Sequence, residues 1–113
     1  MSSRNSRLYL QDMLEACADI QSFTQDMKSV SDLQADRRTF LAVIHSLQII
    51  GEAARQMPKG FREKYPEFPW RETAGLRNVI AHEYFGLDMD IIWDVVQTRI
   101  PLLTEQVKQI TAE

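Results

Sequence analysis

Arg77, Asn78, His82 and Tyr84 fall within eight residues of one another, interleaved with Val79, Ile80 and Ala81. Arginine and histidine together are a sufficient minimum for cleaving RNA without a metal. A histidine can take the proton from a ribose 2′-hydroxyl, or give one to the leaving 5′-oxygen, near neutral pH. An arginine can hold the scissile phosphate through two parallel hydrogen bonds and stabilise the charge that builds on it. DNA lacks the 2′-hydroxyl, so such a site acts on RNA. The spacing alone is a weak signal, and a histidine near a helix end is more often a capping or structural group.

These residues need a scaffold that brings them together. A helix continuing from Trp70 puts Asn78 and His82 on one face, one turn apart. Arg77 and His82 are five positions apart, so an undistorted helix splays them by about 140°. They converge if the Arg77 stem swings round, if the helix loosens near His82, or if a second copy of the chain supplies a partner. Gly86 is placed to end the helix, with Tyr84 between it and His82.

Four amphipathic stretches supply the rest. Over 6–28, Leu10, Met13, Cys17, Ile20, Thr24 and Met27 recur at steps of three and four, with Leu14 and Phe23 widening the stripe. Cys17 reads as a small core hydrophobe there rather than a redox group. Val30–Gln34 is a break, and Ser31 with Gln34 has the form of a capping box. From about Asp36 to Met57, Phe40, Ile44, Leu47, Gly51 and Ala54 share a face, flanked by Val43 and Ile50. Gly51 costs up to about 1 kcal/mol relative to alanine inside a helix, which a close helix–helix approach would explain. Pro58 and Gly60 end that segment.

The connector 58–70 carries three prolines and four aromatics, with one helical turn expected over Phe61–Tyr65. A third helix starts near Pro69 or Trp70 and runs to about Ala81. Asp88 caps a fourth, in which Met89, Ile92, Val96, Ile100, Leu103, Val107 and Ile110 form the stripe and Trp93 adds bulk. Pro101 should kink it. The pattern predicts an all-α bundle forming one domain over residues 1–113, with stripes wide enough to leave apolar surface for a partner or a second protomer.

Composition narrows the field. The chain has 113 residues, 44% hydrophobic and 26% charged, with net charge −3. That balance argues against coating nucleic acid through a broad basic surface, though not against a local site. Basic residues concentrate between 59 and 77, where Lys59, Arg62, Lys64, Arg71 and Arg77 face only Glu63, Glu67 and Glu72. Of these, Lys59, Arg62 and Arg71 could track a phosphate backbone, against ordinary solvated charge. No stretch is apolar enough to span a membrane or act as a signal peptide. One cysteine and two histidines make a poor zinc set, so no metal or cofactor is expected, and the reducing cytoplasm is the expected compartment. On the second helix, His45, Gln48, Glu52 and Arg55 share a face. It reads first as a polar stripe or dimer contact, with Glu52 a possible support that orients Arg77. Trp70 and Trp93 read as core rather than base-stacking platforms.

Arg77-Asn78-Val79-Ile80-Ala81-His82-Glu83-Tyr84 resembles the Arg-x4-His-x-Tyr motif of HepT-like toxins, all-α ribonucleases of the HEPN superfamily. The likeness extends to Ile50-Gly51-Glu52-Ala53-Ala54, Pro69-Trp70-Arg71, Gly75-Leu76 and Phe85-Gly86-Leu87-Asp88, and so to most of the chain. The resemblance implies a HEPN-like bundle of four to five helices, paired as a homodimer whose interface cleft receives a motif from each protomer. It implies Arg77 and His82 as the catalytic pair of a metal-independent endoribonuclease, with Asn78 supporting them. It further implies the toxin of a type VII-like toxin–antitoxin system. The neutralising partner would be an MntA-type nucleotidyltransferase that adenylylates Tyr84, placing bulk and negative charge in the RNA site. The rival readings are a non-catalytic HEPN dimer that binds RNA or nucleotide as an interaction module, and a dimer whose polar motif only knits the interface.

Overall fold

The computed structural model describes residues 5–77 and 89–113. Every regular element among them is helical, and no helix is long and apolar enough to cross a membrane. Helix α1 covers Ser6–Thr24, α2 Val30–Ala35 and α3 Arg37–Gln56. Helix α4 covers Lys59–Lys64 and α5 Trp70–Ala74. Helix α6, Met89–Asp94, continues through a wide turn at Val95–Arg99 into α7, Ile100–Thr111. The principal packing is α1 on α3, with α7 against α1 and α5 against α3.

The expected stripes are the buried ones. Leu10, Met13, Cys17, Ile20 and Thr24 of α1 meet Phe40, Val43, Ile44, Leu47, Ile50 and Ala54 of α3, and Ile100, Leu103, Val107 and Ile110 of α7 close the cluster. Some expected members depart from it. Phe23 is exposed, and Leu14, Met27, Met89 and Trp93 are only half-buried; in α1 the stripe drifts round the helix and Ala16 takes an inward position.

Helix α1 is shorter than the periodicity suggests, ending at Thr24 rather than at 28. The Thr24 hydroxyl donates back to the Ile20 carbonyl at 2.8 Å, and the Met27 amide donates to the Thr24 carbonyl at 3.0 Å. The segment read as a break is a helix of its own, α2, burying Leu33. Ser31 lies inside it, so the Ser31–Gln34 capping box does not form. Asp32 instead accepts from the Lys28 amide at 2.7 Å, tying the entry of the helix. The cap that matters follows at Asp36. Its carboxylate accepts from the Thr39 amide at 3.0 Å and hydroxyl at 2.7 Å, and these bonds hold its pKa below the ordinary value.

The aromatic connector packs down as its composition predicts, although its helical turn spans Lys59–Lys64. Phe68 and Trp70 are buried with ring centroids 4.2 Å apart, Phe61 lies edge-on to Trp70 at 6.1 Å, and the Trp70 indole donates to the Tyr65 carbonyl at 2.9 Å. The next helix is interrupted rather than continuous. Helix α5 ends at Ala74, Gly75 forms a turn whose amide still donates to the Arg71 carbonyl at 2.9 Å, and residues 76 and 77 are helical again. Near the other end, the Ile100 amide bonds five residues back to Val95. This wide turn sits just before Pro101, where the ring removes a donor and crowds the preceding turn.

Cys17 is fully buried, and desolvation pushes its thiol up to about 11 despite a hydrogen bond with Thr104. It packs as a hydrophobe and holds no reactive thiolate.

Candidate active site

Helix α3 presents two faces, and its outer face builds the site. Gly51 sits at the edge between them. A side-chain carbon added there would lie 2.7 Å from the Arg77 amide nitrogen, 2.9 Å from the Arg77 Cβ and 3.2 Å from the Ala74 carbonyl oxygen. Only a residue without Cβ lets the backbone at 74–77 pass this close to α3. The close approach expected for Gly51 is thus made to the very residue that could hold a phosphate. Buried Leu76 anchors the preceding position in the core and leaves Arg77 at the surface, its side chain 49% exposed.

One turn of α3 then supplies the partner. Glu52 Oε2 lies 3.2 Å from Arg77 Nε, and Oε1 accepts from Arg55 Nη2 at 3.1 Å and from Gln56 Nε2 at 3.0 Å. The Gln56 amide first, then Arg55, hold the Glu52 carboxyl below the ordinary range, with the charges of Arg55 and Arg77 adding to the effect. Glu52 is therefore ionised at neutral pH and shared between two guanidinium groups. Both partners are half-exposed, and pairs of this exposure contribute about 1 kcal/mol or less. Such a pair aims Arg77 but does not lock it: an incoming phosphate can replace the carboxylate.

Two grooves meet at Arg77. One, of about 310 Å³, is lined by His45, Gln48, Ile49, Glu52 and Arg77. The polar stripe read on α3 therefore borders the motif's arginine rather than being remote from it. The other, of about 580 Å³, is lined by Arg55, Arg62, Arg71 and Arg77 with Ala54, Trp70, Ala74 and Gly75. Of the three basic residues singled out in the sequence, Arg62 and Arg71 come together here, while Lys59 is not part of the lining. Arg55 was missed as a member. Its signal was present, one turn past Glu52 on the same face, but was absorbed into the polar stripe. Trp70 is a buried wall of the groove rather than a free stacking platform.

Asn78, His82, Tyr84 and Asp88 lie outside the described residues, so the site geometry here is that of Arg77 and its supports. Among the described residues, no three His, Cys, Asp or Glu side chains gather as metal ligands would.

A family model described as ribonuclease HepT-like matches residues 13–110. The chain belongs to the HepT-like ribonuclease family. A protein of Thermococcus cleftensis named "Probable ribonuclease HepT" is 41% identical over 100 residues, covering 88% of this chain and 90% of that one. Two proteins named "Putative RNase" are similarly related. One from Methanocaldococcus jannaschii is 40% identical over 110 residues, 97% of this chain and 90% of its own. One from Caldanaerobacter subterraneus subsp. tengcongensis is 40% identical over 109 residues, 95% of each. No solved structure matches. The Arg77–Glu52 pair and the two grooves lined by Arg77 are the part of the candidate site that the described residues display.

Proposed function

We propose that this chain is an endoribonuclease that cuts RNA with Arg77 and His82 and without a metal. The observation that carries the reading is Arg77. It belongs to a HepT-like ribonuclease, its backbone is held against Gly51, and its guanidinium is aimed by a carboxylate that a phosphate can displace. In the proposed reaction His82 removes the 2′-hydroxyl proton, the 2′-oxygen attacks phosphorus, and the bond to the 5′-oxygen breaks as that oxygen gains a proton. Arg77 neutralises the charge that accumulates on the phosphate, and Asn78 supports the pair. The products are a 2′,3′-cyclic phosphate and a 5′-hydroxyl.

The chain acts as one domain, and two copies pair so that their motifs share a cleft. Exposed Leu8, Phe23, Leu41 and Ile49 on α1 and α3 support such pairing, Ile49 standing in the groove beside Arg77. Free, the enzyme is a toxin in the cytoplasm. A nucleotidyltransferase antitoxin silences it by transferring AMP from ATP to the Tyr84 hydroxyl, with release of pyrophosphate.

The test is cleavage of RNA by the purified protein in the presence of a chelator, followed by end-group analysis. Cyclic phosphate ends that disappear with Arg77→Ala and with His82→Ala are expected. Binding of RNA without cleavage by the wild type would replace the enzyme with a binding module. For the switch, coexpression with the transferase should add AMP mass to the wild type and not to Tyr84→Phe, and relieve growth arrest.

A further inference from the structure

The groove of about 580 Å³ beside Arg77 gathers Arg55, Arg62, Arg71 and Arg77 from α3, α4, α5 and the chain just beyond Gly75. Four arginines line one groove in a chain whose net charge is −3. Among the described residues, no carboxylate lines the groove. Glu52 at its edge pairs with Arg55 and Arg77, whereas Arg62 and Arg71 have no ion-pair partner among the described residues. Arginine stays protonated at any physiological pH, so this clustering has a standing repulsive cost that an anion would relieve. Its planar fork suits phosphate in particular. The groove is too large for one phosphate and shares Arg77 as a lining residue with the groove holding His45 and Gln48.

We infer that this groove is a phosphodiester track for the RNA strand, with Arg62 and Arg71 holding phosphates that neighbour the one at Arg77. The inference rests on the ribonuclease reading of Arg77 and adds the path by which substrate reaches it. The strand is single, because the fixed sugar pucker of an A-form helix keeps the 2′-oxygen out of line with the leaving oxygen. Contacts of this kind position the strand and carry no base preference. They also explain how an acidic protein can engage RNA: four of its thirteen basic residues line one groove, a local positive site in a chain of net negative charge.

The test uses the full chain and a short 2′-O-methyl oligonucleotide, which cannot be cut, with binding followed by fluorescence anisotropy across a salt series. Each phosphate neutralised on a single strand contributes about −0.7 to the slope of log K against log salt. R62Q/R71Q should therefore flatten the slope by about 1.4 and weaken binding at fixed salt, while R62K/R71K, which keeps the charge, should retain most of the slope. Unchanged slope and affinity in R62Q/R71Q overturn the track, and if that protein's parent still cuts RNA, the nuclease reading survives alone. Loss of slope in a protein that binds but never cuts RNA supports the track and removes the nuclease. Absence of binding by the wild type overturns the track. Competition by AMP at matched phosphate concentration, with the same dependence on Arg62 and Arg71, would make the groove a mononucleotide pocket and overturn it as well.

Discussion

The two faces of α3 place ionisable groups in opposite surroundings. On the inner side, α3 packs on α1, where Cys17 is sealed among apolar side chains and its proton is held up to about 11. On the outer side, Glu52 is ionised, half-exposed and shared between Arg55, Gln56 and Arg77. Burial makes the first group inert, and exposure with several weak partners makes the second exchangeable. The helix thus combines a fixed side that sets position with a loose side that can trade partners, and Gly51 lies where the two meet.

The largest effect should come from the inner face. Leu47→Ala removes a buried side chain and should cost about 2–5 kcal/mol of stability by denaturant titration. A loss as small as that of a surface variant would break the distinction between faces. Next, Arg77→Ala should lower kcat/KM on RNA by about 10²–10³-fold with little change in unfolding, since its exposed pair contributes little to stability. Equal losses of both would show that Arg77 is structural.

Gly51→Ala sharpens the boundary. The helix gains about 1 kcal/mol of propensity, but a methyl group 2.7 Å from a backbone nitrogen forces α3 and residue 77 apart, a cost of about 1–3 kcal/mol. Stability should fall modestly while activity falls further, because Arg77 moves with the backbone. Calorimetry paired with cleavage rates checks both.

Two pH responses complete the series. The Cys17 pKa is raised on folding, so its contribution is whole below the unfolded value of 9.0 and fades as pH climbs toward 11. The loss by pH 11 should be on the order of 2 kcal/mol and absent from the pH dependence of Cys17→Ala. Glu52 is shifted the other way. Its contribution should be present above the ordinary 4.5 and lost as pH falls through the lower folded value, a small effect that Glu52→Gln removes. The same variant should reduce cleavage a few-fold by leaving Arg77 unaimed, and full activity in Glu52→Gln would end its positioning role.

Much of this molecule is written locally in the chain. The buried stripes of α1, α3 and α7 follow from apolar residues recurring at three and four, and the folded-down connector from aromatics confined between prolines. Local signals were also where small errors arose. Ser31–Gln34 had the letters of a capping box, yet Asp36 made the cap, because two acceptor oxygens satisfied both Thr39 donors. Other features depended on distance in the fold. Glu52 and Arg77 are far apart in sequence, and their contact exists because α3 crosses the chain after α5 at a glycine. Arg55 joined Arg62 and Arg71 for the same reason: three elements converge on one groove. Periodicity specifies which face of a helix turns inward, since that is a property of neighbouring residues. Which outward groups then meet is decided by how the helices cross, and only the tertiary structure contains that.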